Sequence, residues 1–276
     1  MKFGLDVAQH QLEWNTILRR ARLGEELGFD GVWVFDHFKP LSGDPDGPCL
    51  EAYTLLAALA ASTSRVRLGA LVTGMTYRHP SILASEAVTV DHVSGGRLEL
   101  AVGAAWFEGE HVALGIDFPP VPERARRLEE GIEVLRSLMS SDGATFDGKY
   151  YRLSDATYRP RAVQQPHPPI WIGAGGEKLM LPIAARQADV WHHSGNLEEM
   201  RRKSRLLDQM AEVAGRDPVS IRRAGSVGLS QPWDAVRERI EGLAQLGVTY
   251  INVDWPTEGE NRVHEFAREI MPGYVD

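Results

Sequence analysis

The sequence predicts an α/β chain folded as a single (β/α)8 barrel, and three observations carry this expectation. Strand-like and helical runs alternate strictly, eight of each, along 276 residues, which is the length and order of a closed barrel. The stretch from Arg67 to Glu110 reads as a complete βαβ unit, and parallel strands joined by crossover helices leave their carboxyl ends on one rim. No linker with a shift in composition divides the chain. Its one Pro-rich stretch, Pro160 to Pro169, leads straight into another strand-like run, so residues 1–276 read as one TIM-barrel domain.

Each element has its own signal. Phe3 to Val7 is the first strand, and Glu13 to Leu27 follows with apolar residues at helical spacing until Gly28 stops it. Gly31 to His37 is apolar up to Asp36 and His37, which places this polar pair at a strand's carboxyl end. Glu51 to Thr63 is the second helix and Val66 to Thr73 the third strand. The third helix starts at Pro80, where a missing N–H costs nothing, and ends near Gly95. Leu98 to Ala105 is strand four.

The run from Pro122 to Ser140 sets Leu128, Ile132, Leu135 and Met139 on one helical face. Thr145 to Leu153 alternates about Asp147-Gly148, a β-hairpin signal, and is expected as an insertion between helix four and strand five. Pro169 to Gly176 is strand five, running into a glycine loop, with helix five from about Glu177 to Gln187. The rest follows the same rhythm: strand six Asp189 to Gly195, helix six Leu197 to Ala214, strand seven Arg222 to Leu229, helix seven Trp233 to Leu246, strand eight Tyr250 to Asp254 and helix eight Val263 to Ile270.

Composition narrows the partners. Thirty Lys and Arg against 38 Asp and Glu give a net charge of −8, which argues against nucleic acid and an acidic membrane surface. No apolar run reaches the ~18 residues of a membrane span, and the N-terminus lacks a secretory pattern, so the reading is a cytoplasmic protein. Cys49 is the only cysteine, which leaves no internal disulfide or thiolate metal cluster; packing is its preferred role.

In such a barrel, polar residues at strand ends read as functional. Asp36 and His37, Thr73, Trp106 and Glu108, the Gly173 to Glu177 loop, His192, His193 and Asp254 all fall there. His37 has the chemistry of a general acid or base, or of a hydrogen-bonded structural histidine. The glycine loop ahead of a helix suits a phosphate, or serves only to turn the chain. Adjacent His192 and His193 cannot both face one ion from a strand, and no metal site is expected. Trp106 and Phe107 line an apolar pocket or plug the barrel mouth.

Taken together, several motifs resemble the bacterial luciferase-like oxidoreductases, and among them the probable coenzyme F(420)-dependent oxidoreductases. They are LGEELGFDGVWVFDH (Leu23 to His37), RLGALVTGMTYRHP (Arg67 to Pro80), VDHVSGGRLELAVGAAWFEGEH (Val90 to His111), RLEEGIEVLRSL (Arg127 to Leu138), FDGKYYRL and PHPPIWIGAGGEK (Pro166 to Lys178). The resemblance covers about the first 195 residues.

It implies a deazaflavin or flavin at the carboxyl rim, a non-prolyl cis peptide at Leu71-Val72 behind its middle ring, and hydride transfer at the cofactor C5. By the same resemblance Asp36, Leu71, Val72, Thr73, Gly103, Ala104 and Ala105 contact the cofactor, and the backbone of Ala174, Gly175 and Gly176 cradles its phosphate. His37 is the implied proton partner, with Glu108 or His111 as substitutes. Trp106, Phe107 and His193 are assigned to the substrate pocket.

Trp106 stands where the related sugar-phosphate dehydrogenases carry a glutamate, which argues against glucose 6-phosphate and for a flatter, less charged small molecule. Two other readings fit the same residues: an FMN-dependent monooxygenase fed with reduced FMN by a separate reductase, and a non-catalytic flavin-binding protein. The resemblance also suggests a homodimer through helices beside the early strands.

Overall fold

A computed structural model describes residues 1–275. In chain order the elements are β1 (Lys2–Asp6), α1 (Trp14–Glu26), β2 (Gly31–Val34), α2 (Ala52–Ser62), β3 (Arg67–Ala70), β4 (Thr73–Gly74), α3 (Pro80–Ser94), β5 (Leu98–Gly103), α4 (Glu108–Leu114) and α5 (Val121–Ser140). There follow β6 (Ala144–Asp147), β7 (Arg152–Ala156), β8 (Ile170–Gly173), α6 (Met180–Gln187), β9 (Val190–His192), α7 (Leu197–Val213), β10 (Arg222–Gly228), α8 (Trp233–Gln245), β11 (Val248–Asp254) and α9 (Glu260–Glu265).

All barrel pairings are parallel, in the order β3-β2-β1-β11-β10-β9-β8-β5, and pairing of β3 with β5 closes the ring. β4 continues β3 after a two-residue break, so the barrel has eight strand positions. The strands are buried on both faces, as the wholly buried β2 and β5 illustrate, which is why they read as near-continuous apolar runs. Between α5 and β8, β6 and β7 pair antiparallel. The Glu130 carboxylate holds their turn by accepting from the Lys149, Tyr150 and Tyr151 amides.

The helices dock by the faces their spacing dictates. α5 buries Leu128, Ile132, Leu135 and Met139 against the barrel. Glu51 caps α2 by accepting from the amides of Tyr53 and Thr54, and Asn196 and Glu199 form a capping box on α7, each supplying acceptors for otherwise orphaned N–H groups.

The lower barrel is filled by an aromatic plug of Trp33, Trp171 and Tyr250 with small Ala101 and Ala224 between them. Trp33 Nε1 donates to the Tyr250 hydroxyl at 2.9 Å, and Trp171 Nε1 donates to buried Glu99 at 2.5 Å. Side chains at Gly4 and Gly69 would overlap the Trp33 ring, so these glycines admit the indole. Leu71 and Val72 pack on top of this plug, and the open space lies above them, at the carboxyl rim.

Four expectations are corrected in detail. Val66 to Thr73 is not one continuous strand, because the cis Leu71-Val72 peptide interrupts it. Strict alternation is broken by Glu108 to Leu114, a short helix ahead of the long Val121–Ser140 helix, with acidic residues in its first turn and Gly115 in the left-handed region at its end. Helix five begins at Met180 rather than Glu177, since residues 177–179 form a turn. The last helix starts at Glu260 and passes into a π-turn over Phe266–Ile270.

Val72 projects into space left by two glycines. A methyl on Gly103 would sit 2.7 Å from Val72 Cγ2, and one on Gly173 would sit 2.9 Å from Cγ1. Gly103→Ala is therefore expected to destabilise the fold by about 1–3 kcal/mol through overpacking against a stiff β-branched side chain. Urea unfolding checks this, and an unchanged midpoint contradicts it.

Candidate active site

The rim above Leu71 and Val72 encloses a cavity of about 550 Å³, within the range of small-molecule and cofactor pockets. Its walls come from the segments after β2, β5, β8 and β9 and from the β3–β4 break. Backbone and small side chains dominate one region, with Gly103, Ala104 and Ala105 facing Gly173, Ala174 and Gly175. Ala105 holds φ at 59°, a sparsely populated conformation for a residue with a Cβ.

His37 lines the cavity and is fixed from behind. Its Nδ1 lies 3.0 Å from Glu110 Oε2, and Glu110 is wholly buried. The same carboxylate accepts the Tyr77 hydroxyl and the backbone amides of Phe38 and Lys39, at 2.6 and 2.8 Å for the amides. Burial pushes the Glu110 carboxyl up, but the hydrogen bonds from His37, Tyr77 and the Lys39 amide outweigh it and hold it below the usual carboxylate range. An ionised Glu110 accepts from Nδ1–H, leaving Nε2 as the ring nitrogen available to a ligand. Burial and the adjacent Glu110 carboxylate together raise Tyr77 far above an ordinary phenol, so it stays a donor.

Asp36 also lines the cavity, but its oxygens are taken by Arg78 at 2.7 and 2.9 Å and by the Gly74 amide at 3.1 Å. Arg78 in turn meets Glu51 at 3.1 Å and Glu86 at 3.2 Å. One guanidinium serves three carboxylates.

Among the residues named from sequence, His37, Asp36, Leu71, Val72, Gly103, Ala104, Ala105, Trp106, Ala174, Gly175 and His193 all line the cavity. Four do not. Thr73 is buried away from it, its hydroxyl 2.8 Å from that of Tyr53. Phe107 stacks behind Trp106, with ring centroids 5.3 Å apart, and packs against the His37 ring. Gly176 is exposed and offers its carbonyl to the Met180 and Leu181 amides.

Glu108 is exposed at the start of α4, and the carboxylate that reaches His37 is Glu110, two residues further on. His111 is committed as well: Nδ1 donates to the Phe107 carbonyl at 2.8 Å and Nε2 accepts from Thr76 at 2.7 Å. Sequence reading missed Glu110, Tyr77 and Arg78. Recognising the helix over 108–114, from its acidic first turn and the Gly115 stop, would have turned Glu110 inward.

Cys49 has its thiol 3.3 Å from the His37 carbonyl, and burial pushes it up to about 11, so it is not a nucleophile. Burial lowers His192 to about 4, with His193 adding, and its Nε2 meets the Ser226 hydroxyl at 3.0 Å. No group of three or more His, Cys, Asp or Glu side chains among the described residues is placed to hold a metal ion. None of the described helices is long and apolar enough to cross a membrane.

The Arg78 cluster makes stability depend on pH. Burial pushes Glu86 up to about 7, against Arg78 and reinforced by Glu51 and Asp36. The folded carboxyl holds its proton more tightly than the unfolded one, so its contribution is full below the ordinary value of 4.5 and is lost as pH rises through about 7. Glu86→Gln is expected to gain roughly 1–3 kcal/mol over wild type at pH 8 relative to pH 4.5, discounted for partial exposure. Thermal melts at the two pH values check it, and a pH-independent difference contradicts it.

Comparison with known proteins agrees with this geometry. The chain is 32% identical over 255 residues to an F(420)-dependent glucose-6-phosphate dehydrogenase of Microbacterium testaceum, covering 91% of this chain and 68% of that one. It is 30% identical over 193 residues to an FMNH(2)-dependent dimethylsulfone monooxygenase of Pseudomonas putida, covering 69% and 52%. The coenzyme F(420)-dependent tetrahydromethanopterin reductase of Methanopyrus kandleri superposes with a TM-score of 0.85 over 99% of both chains at 20% identity, which shows a shared fold. A family model described as luciferase-like monooxygenase matches residues 1–231, and the chain belongs to that luciferase-like family.

Proposed function

We propose that this protein is a deazaflavin-dependent oxidoreductase that moves a hydride between C5 of coenzyme F(420) and a carbon of a small, weakly charged organic substrate. The observation that carries this reading is a cavity floored by Leu71 and Val72, walled by glycine and alanine backbone, with the His37 imidazole facing it and oriented by the buried Glu110.

The residues present fit a flavin-type ring. No side chain larger than a methyl stands where a flat tricycle would lie, along Gly103 to Ala105 and Gly173 to Gly175. Val72, wedged toward Gly103 and Gly173, would stand behind the ring. The Gly175 and Gly176 amides meet no protein acceptor among the described residues and suit a phosphate. When bound, the deazaflavin supplies or takes the hydride.

The protein then has three tasks. His37 Nε2 takes the hydroxyl proton of an alcohol as its carbon loses hydride, and returns that proton in the reverse direction. Glu110 stays ionised, fixes the ring through Nδ1 and stabilises the imidazolium that forms, a positioning role. The mouth excludes water with apolar surface: Trp106 is 66% exposed there, with Leu41 and Val121 beside it. Arg124, the cation at the mouth, is engaged by the Ala104 and Pro119 carbonyls and the Phe118 ring, which supports an uncharged substrate over a sugar phosphate.

The test is an anaerobic assay following bleaching of oxidised coenzyme F(420) against a panel of small apolar alcohols. Turnover without oxygen is expected, and His37→Ala is expected to lower kcat about 10²–10⁴-fold while cofactor affinity stays within about threefold. Equal losses in binding and turnover would remove His37 from the chemistry. The Pseudomonas relative favours a second reading, an FMN-dependent monooxygenase; product formation that requires reduced FMN and oxygen would put that reading first.

A further inference from the structure

Beside the glycine loop lies a buried cation that the mechanism above does not use. Lys203, on α7, is only 7% exposed. Its Nζ lies 3.1 Å from His193 Nε2, and its ion pair with Glu199 is longer, at 3.6 Å. An ammonium has donors and no acceptor. His193 Nε2 therefore accepts, and the ring's proton sits on Nδ1.

The ring is held on three sides. It stacks on Trp191, with centroids 5.7 Å apart and planes 15° apart, and Trp191 Nε1 is itself anchored to the Ala174 carbonyl at 2.9 Å. A side chain at Gly195 would overlap Nε2 and Glu199, so the glycine leaves room for the Lys203 contact. On the cavity side, a Cβ at Gly175 would lie 3.5 Å from Nδ1 and 3.7 Å from Lys203 Nζ. The open face of Gly175 is thus where both groups converge. Burial lowers His193, and Lys203 lowers it further, with Arg239 and Arg202 acting in the same sense against Glu199; His192, its neighbour, is neutral as well.

We propose that Lys203 is a positioning residue that locks His193 as a neutral Nδ1–H donor, completing with the Gly175 and Gly176 amides a subsite for a phosphate oxygen. In the reading above, which this inference deepens, that oxygen belongs to the cofactor tail. The arrangement sets a fixed, directional ring donor beside the Lys203 ammonium at the same open face of Gly175, so a phosphate meets both rather than a mobile surface lysine.

The test has two arms. In the first, ¹⁵N resonances of the His193 ring are followed in the wild type, Lys203→Met and Lys203→Arg, with inorganic phosphate as probe. The wild type is expected to show a proton on Nδ1 that shifts with phosphate; Lys203→Met should lose the tautomer preference and weaken phosphate about tenfold, and Lys203→Arg should restore both. A wild-type ring protonated on Nε2, or a ring indifferent to phosphate, overturns the proposal.

In the second arm, FMN is compared with riboflavin, and coenzyme F(420) with its phosphate-free deazaflavin. The preference for the phosphate-bearing form should fall about tenfold in Lys203→Met while the phosphate-free form binds as in wild type. Equal losses for both forms would mark Lys203 as merely structural and overturn the proposal. Failure of every chromophore to bind the wild type would instead sink the cofactor reading, and the phosphate response of His193 separates the two failures.

Discussion

The site depends on one steric constraint: Val72, at the break between β3 and β4, projects into space that exists only because Gly103 and Gly173 lack side chains. That fit rests on the aromatic plug of Trp33, Trp171 and Tyr250 below, which fills the barrel and prevents the floor from sinking. Protein interiors are close-packed, so such a contact transmits position rather than absorbing it. The cavity above inherits its shape from this stack. Plug, floor and open rim follow each other along the barrel axis, and the chemistry is confined to the top.

Around that floor the polar groups are divided by burial. Glu110 is taken fully out of water, which is tolerated because two side chains and two amides satisfy its oxygens. The energy of those bonds fixes His37. Asp36 is tied up by Arg78 instead, so both acidic residues close to the cavity have their oxygens engaged by the protein, while His37 keeps one ring nitrogen unengaged. Lys203 and His193 repeat the same logic on the opposite wall, with a buried charge controlling the tautomer of a cavity-lining ring.

Much of this was legible in the sequence. Barrel strands announced themselves because burial on both faces leaves continuous apolar runs such as Gly31 to Phe35, and the rim could be located because the apolar run there gives way to Asp36 and His37. The family resemblance supplied the Leu71-Val72 cis peptide, which no local pattern encodes. What escaped was anything that depends on which way a short, polar element turns. The helix over 108–114 has one polar turn and too few apolar residues to show a period, so nothing local singles out Glu110 as the inward-facing carboxylate. The resemblance implies a cofactor contact for Thr73, whereas its buried hydroxyl lies 2.8 Å from that of Tyr53. Lys203 and Arg78 read as ordinary helix-face and loop charges, and only tertiary packing reveals their partners.

The central claim is that this cavity is built for a deazaflavin. A side-by-side fluorescence titration of oxidised coenzyme F(420) and FMN against the purified protein tests it most directly. Tighter binding of the deazaflavin is the predicted result; a clear preference for FMN, or no binding of either, would contradict it.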